Sequence, residues 1–409
     1  MDPLSRRTFL KGTILLSAAG MSGSAAGSAS TGRVHVAVVG AGAFGGWTAL
    51  QLLRKGARVT LVDAWGPGNS RASSGGETRV IRAVYGRSEI YVKWSARSLK
   101  LWRENQERWK RKIYFPIGAL WLVQENDEYE TPSLPLLDAE GLKYEKMTTD
   151  EAARQYPQMR FDGVRWVLRE KDAGYLLARQ SCQLVLKSFL EEGGEFLTAQ
   201  AMPGGSASGR MDSVALQDGS RLQADQYVFA CGPWLARMFP GLREDLIRPT
   251  RQEVFFFGVP AGDSRFTDAA LPVWVDHGAS LIYGIPGNEF RGFKIADDAR
   301  GPAFDPTSGE RMVSREGIEA MRKFMSRRFP GMKDAPLVES RVCQYENSPD
   351  GHFVIDRLPE AGNAWIVGGG SGHGFKHGPA LGEYVASILL DSAPLNPLFQ
   401  LSRFDRKES

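Results

Sequence analysis

Apolar residues, broken only by His35, run through VHVAVV at 34–39, stop at the glycine-rich GAGAFGG, and resume with helical spacing in WTALQLLRKG. The next run, ARVTLVDAW, is again strand-like. A short continuous apolar run predicts a strand covered on both faces, and the 3.6-residue spacing after it predicts a helix. Further along, GALWLVQ, EVFFFGV and SLIYGIP read as strands, YVFACG as a strand leading to Gly232, and WIVGGG as a strand entering a second glycine-rich turn. DAGYLLARQSCQLVLKSFLEEGG predicts a helix-rich segment, and GGSASGRMDS a turn between strands. An apolar stretch between Thr13 and Met21 is far shorter than the roughly 20 residues that a spanning helix requires.

Composition narrows the class. The chain has 409 residues, 42% hydrophobic and 24% charged, which is globular and long enough for two or three domains. Lys plus Arg (51) nearly balance Asp plus Glu (47), without a long run of either sign, so nucleic-acid binding has no electrostatic support. Cys182, Cys231 and Cys343 are too scattered for a disulfide framework, and no CxxC or HExxH spacing marks a metal site. The N-terminus, MDPLSRRTFLKGTILLSAAGMSGSAAGSASTG, pairs Arg6 and Arg7 ahead of Phe9, Leu10 and Lys11, an apolar stretch and small residues. It resembles a twin-arginine export signal over 1–32. That implies passage through the twin-arginine machinery to a periplasmic or extracellular location, without stable membrane insertion.

Gly40, Gly42 and Gly45 give GxGxxG spacing between a strand and a helix, and Asp63 closes the second strand. Such a turn brings backbone amides and a helix N-terminus to a pyrophosphate, and the acid accepts from a ribose hydroxyl. This spacing alone does not separate NAD from FAD. The following GPGNSRASSGGETRVIRAVYG, with Arg79 and Arg82, reads either as a loop presenting charge to a cofactor and an anion or as a solvated basic loop.

Three downstream segments decide between these readings: GFKIAD, SRVCQYENSPDGHFVID and WIVGGGSGHGFKHGPALGEYVASIL. Together with GAGAFGG and SSGGETRVIRAVYG they resemble, in order and over most of the chain, the monomeric sarcosine oxidase and N-methyl amino acid oxidase group of the FAD-dependent D-amino-acid oxidase (DAO) superfamily. The resemblance implies an α/β fold with a Rossmann-like FAD-binding domain, discontinuous over 34–115, 172–240 and 343–409. A mixed-sheet α+β substrate domain would occupy 116–171 and 241–342. It implies FAD attached through Cys343, with Gly40, Gly42, Gly45, Asp63, Thr78, Arg79, Gly232, Gly370, Gly372, Gly374, Phe375 and Lys376 around the cofactor. Lys294, with Tyr283 upstream, would promote reaction with oxygen, Tyr345 would line the active site, and Arg82 and Lys376 would hold a substrate carboxylate.

The activity so implied is oxidation of a C–N bond in a secondary amine or N-substituted amino acid by a monomer, with O2 reduced to H2O2. A dehydrogenase feeding a quinone or carrier, and a non-catalytic flavoprotein that binds a ligand or partner, are the rival readings. Gly75 and Asp298 stand where this group carries histidines. The first change is expected to widen the site, the second to favour a substrate with a further positive charge or several hydroxyls.

Overall fold

The computed structural model describes residues 32–243 and 245–405. The paired arginines and the apolar stretch after them lie outside the described residues. The first apolar run is the strand His35–Val39, buried from Val36 to Val39. It lies inside a six-stranded sheet whose order is Val354–Leu358, Ala361–Gly368, Gln226–Phe229, His35–Val39, Arg58–Asp63 and Glu195–Thr198. Five of these strands run parallel, and Val354–Leu358 pairs antiparallel at one edge. Helices Ala43–Arg54, Ala178–Glu191 and Gly378–Leu390 cover the sheet, which is why its strands carry apolar residues at consecutive positions. GGSASGRMDS forms the turn-linked pair of short strands Ser206–Ala207 and Arg210–Met211.

A second sheet has eight strands in the order Leu337–Asn347, Arg248–Phe257, Phe293–Asp297, Leu281–Ile285, Val273–His277, Ala119–Val123, Trp166–Glu170 and Tyr144–Met147. All pairings are antiparallel except Val273–His277 with Ala119–Val123. Its side chains alternate between faces. Phe255, Phe257, Trp274, Phe293 and Ile295 pack on one side with Met321, Phe324 and Met325 of the helix Arg315–Arg328. The opposite positions form a separate group, Val254, Phe256 and Ala296, with Tyr283 and Cys343 against it. Register places Lys294 opposite Phe256 and Ile285, Tyr283 opposite Ala296, Cys343 opposite Gln252 and Tyr345 opposite Thr250. Residues far apart in sequence thus share one face of this sheet. The segment after Asp63 leads into the short strand Thr78–Ile81, which pairs with Gly174–Leu177 in a third sheet and brings Arg79 and Arg82 to that face. Among the described residues no helix is long and apolar enough to cross a membrane.

Candidate active site

Gly40 has φ +104°, and a Cβ there would lie 2.4 Å from the Ala230 carbonyl oxygen. A Cβ at Gly45 would lie 1.8 Å from the Gly40 oxygen, so both positions require glycine for the strand, turn and helix to close on one another. The helix Ala43–Arg54 starts without a side chain of its own capping it, and the Ala43 amide instead donates to Ser74 Oγ at 3.0 Å. Beside this turn opens a cavity of about 410 Å³. Gly40, Gly42, Asp63, Gly232, Gly370 and Gly374 line it, together with the aromatic rings of Phe44, Trp65, Trp234 and Phe375. Asp63 is fixed there by the amides of Ala41, Trp65 and Gly66 at 2.7–2.8 Å. Three of its roughly four acceptor positions are thereby used, leaving capacity for a ribose hydroxyl.

A smaller cavity, about 80 Å³, adjoins it, and Arg79, Tyr345, Gly372 and Phe375 line both. Arg82, Lys376, Tyr283, Asp298, Cys343 and Trp121 contribute to the smaller one. Arg82 is sandwiched between aromatic rings, 4.4 Å from the Tyr85 centroid and 5.0 Å from that of Trp121, and donates to Val84 O and Tyr129 Oη. Burial works against its charge, but the neighbouring Tyr129, Tyr85, Glu170 and Asp298 outweigh it and hold the guanidinium protonated. Glu170 is itself pinned by the Ala83 amide at 2.6 Å and Trp121 Nε1 at 2.7 Å.

Lys376 is 4% exposed and donates to His373 O at 2.8 Å. Burial and the charge of Arg82 push its pKa well below the ordinary lysine value. His373 closes this corner through Tyr85 Oη at 3.2 Å and Gly351 O at 3.1 Å. A half-buried guanidinium and a buried lysine therefore face one small cavity, an arrangement that an incoming carboxylate would relieve.

Tyr345 Oη donates to Asp298 Oδ1 at 2.5 Å. Burial raises the Asp298 carboxyl above the usual range, while Tyr345, Arg82 and Lys376 pull it back down. Arg79 spans the junction of the two cavities, donating to Ser73 O at 2.6 Å and Thr78 O at 2.8 Å and lying 3.4 Å from Cys343 Sγ. Lys294 sits behind it, 2% exposed, its Nζ donating to Thr78 O at 3.0 Å and 5.6 Å from the Tyr283 ring. Burial, then Arg79, brings its pKa down to about 7.

The structure brings most of the expected residues together and separates a few. Lys294, Thr78 and Gly45 stand just behind the cavity walls instead of lining them, and Cys343 faces the smaller cavity. The expected widening at Gly75 is not present. This residue lines neither cavity, and a Cβ there would lie 1.9 Å from Asn69 O, so glycine serves a tight backbone approach. Trp121 and Glu170 escaped sequence reading because both sit in ordinary strand runs, and only pairing between Ala119–Val123 and Trp166–Glu170 reveals their shared neighbourhood. Glu346 also escaped. A carboxylate directly after the motif residue Tyr345 was its one available signal.

The glycine turn, the uncapped helix start, Asp63 and the long aromatic-lined cavity fit a dinucleotide, and the smaller cavity fits a compact anion beside it. Comparison with known proteins bears on the cofactor. The family model described as DAO, FAD dependent oxidoreductase, matches residues 35–388. The chain is 28% identical over 383 residues to monomeric sarcosine oxidase of Bacillus sp. (strain B-0618), covering 91% of this chain and 97% of that one. It is 27% identical over 386 residues to N-methyl-L-tryptophan oxidase of Salmonella arizonae, covering 91% and 100%. Among solved structures, L-proline dehydrogenase from P. horikoshii superposes with a TM-score of 0.79 at 20% identity, covering 91% of this chain and 98% of that one. With the fold, the dinucleotide cradle and a family match over most of its length in agreement, the chain belongs to the FAD dependent oxidoreductase (DAO) family.

Proposed function

We propose that this protein oxidises the C–N bond of an N-substituted amino acid or secondary amine, with O2 as electron acceptor and H2O2 as co-product. The observation that carries this reading is the convergence of half-buried Arg82 and buried Lys376 on the small cavity that adjoins the cofactor cavity. The names of the sarcosine and N-methyl-L-tryptophan oxidases among its relatives agree with it.

FAD, which Gly40, Gly42, Asp63 and Gly370 would hold along the larger cavity, would supply the two-electron redox chemistry between the carbon next to nitrogen and oxygen. The chain supplies position and charge. Arg82 offers its fork and Lys376 its ammonium to the substrate carboxylate, which leaves the amine end toward Tyr345 and Asp298. Tyr85 and His373 hold the turn that carries Lys376, and Trp121 with Tyr283 forms an apolar wall that limits water. Loss of the C–H bond next to nitrogen leaves an imine, and water hydrolyses it to an amine and an aldehyde or oxo acid. Asp298 favours substrates that carry an additional donor, an ammonium or hydroxyl group, near the nitrogen. Lys294 places a charge where oxygen is reduced.

Cys343 is the proposed attachment point of the flavin. Its Sγ accompanies Arg79 at the junction of the two cavities. Acid-precipitated wild-type protein is then expected to stay yellow, whereas Cys343→Ala releases its flavin into the supernatant; wild-type flavin that comes free in acid removes the link. In this reading the twin-arginine leader makes the protein an exported enzyme, carried across the membrane already folded, and it works as a monomer.

The test of the activity is an anaerobic screen of the purified protein against N-methyl, cyclic and glycated amino acids, followed by admission of oxygen. Bleaching of the flavin absorbance, and its recovery with peroxide, is the expected result. Bleaching that oxygen does not reverse points to another electron acceptor, and no bleaching by any amine overturns the proposal.

A further inference from the structure

Glu346 follows Tyr345 on the edge strand Leu337–Asn347, and the functions assigned above do not use it. Its side chain lines the larger cavity between two backbone segments. A Cβ on Gly232 would lie 3.0 Å from Oε2, and one on Gly370 would lie 2.7 Å from Oε1. The Gly370 amide hydrogen-bonds to the carboxyl, while Oε2 is shielded from solvent and has no hydrogen-bond partner among the described residues. A buried polar atom left without a partner is rare and costly, so its place on a ligand cavity calls for a ligand.

Among the described residues no cation answers it. Arg79 is bonded to Ser73 O and Thr78 O, and Arg237 is paired with Asp305 at 2.6 Å. The remaining titratable groups around the cavity are Asp63, Cys231 and Tyr345, none of them positive. Burial, against the opposing hydrogen bond from the Gly370 amide, pushes the Glu346 carboxyl up to about 7. The pyrophosphate of FAD brings further negative charge into the same space, which an ionised carboxylate repels and a carboxylic acid can bond.

We propose that Glu346 holds the cofactor as a neutral acid, donating a hydrogen bond from Oε2 to an oxygen of the bound dinucleotide. The inference rests on FAD occupying the larger cavity. It does not depend on which amine is oxidised or on a bond to Cys343. Raising the pH removes the donated proton and leaves a repelling charge in its place, so the hold on the cofactor loosens toward alkaline pH.

The test uses the holoenzyme and reads the temperature at which flavin fluorescence appears as the site opens, which works for free and attached flavin alike. Wild type, Glu346→Gln and Glu346→Leu are compared between about pH 5.5 and pH 9. Gln keeps a donor at every pH, and Leu keeps the shape without one. At the acid end wild type and Gln should coincide, with Leu several degrees lower. At the alkaline end Gln should exceed wild type by several degrees, and wild type should fall to the level of Leu or below it.

A gap between wild type and Gln that does not change with pH, or Leu matching Gln throughout, overturns the proposal. If neither variant folds, wild type alone decides. The rate at which it exposes its flavin in mild urea must rise with pH around or above 7, and a flat profile rejects the role. Failure of the amine screen leaves these readouts unchanged, so the two readings fail separately.

Discussion

Arg82→Met is expected to lower kcat/KM for a carboxylate-bearing amine by about 10²–10³-fold, the effect of removing one partner of a buried, hydrogen-bonded charge pair. The guanidinium is held by Tyr85, Trp121 and Tyr129, so the wild-type site meets the anion without first ordering a flexible chain. Lys376 adds a pH dependence. Burial and Arg82 push its pKa well below the ordinary lysine value, so its proton is held less firmly in the free site and an incoming carboxylate steadies it. Wild-type affinity for a simple anion should therefore fall as pH rises.

In Arg82→Met the repulsion on Lys376 is gone, Lys376 takes its proton more readily, and the pH dependence should flatten while overall affinity drops. Titrating the flavin spectrum with an alkylthioacetate, which has the carboxylate but no amine, measures both effects. Unchanged affinity for that ligand would take Arg82 out of the substrate site.

Lys294→Met is expected to slow reoxidation of the reduced enzyme by oxygen about 10²–10³-fold, the usual loss when one buried donor aimed at a developing anion is removed. Anaerobic reduction by substrate should change by only a few-fold, since Lys294 does not line the substrate cavity. The wild-type enzyme carries a second signature. Burial and Arg79 lower the Lys294 pKa to about 7, so its charge is present below that value and lost above it. The oxygen reaction of wild type should accordingly decline as pH rises through neutrality, and in Lys294→Met the decline should vanish along with the rate. Stopped-flow measurement of the two half-reactions separates these outcomes; equal slowing of both steps would defeat the assignment.

The sequence by itself determined the local units. VHVAVV, the glycines at 40, 42 and 45 and the helix after them form the expected strand, turn and helix because β-branched runs and backbone clearance act over a few residues. The family motifs likewise singled out Arg82, Cys343 and Lys376, which the fold brings to one cavity. Only the tertiary structure decided which face each strand residue occupies. Tyr283, Lys294, Cys343 and Tyr345 meet because the register of three antiparallel pairings puts them on one side of the eight-stranded sheet. The same register sends Phe255, Phe293 and Ile295 to the other side.

Burial and charge proximity were equally invisible along the chain. Lys294 and Lys376 are one residue type, yet packing brings the first down to about 7 and leaves the second beside Arg82, displaced well below its ordinary value. Gly75 reads as a space-making change and proves to be a backbone contact with Asn69, whereas Glu346 reads as one more polar residue and proves to be a carboxyl on the cofactor cavity whose Oε2 has no partner among the described residues. Local sequence fixes conformations that depend on neighbours a few residues away; the electrostatics of a site depend on desolvation and on charges from distant segments, and these exist only once the sheets have closed around it.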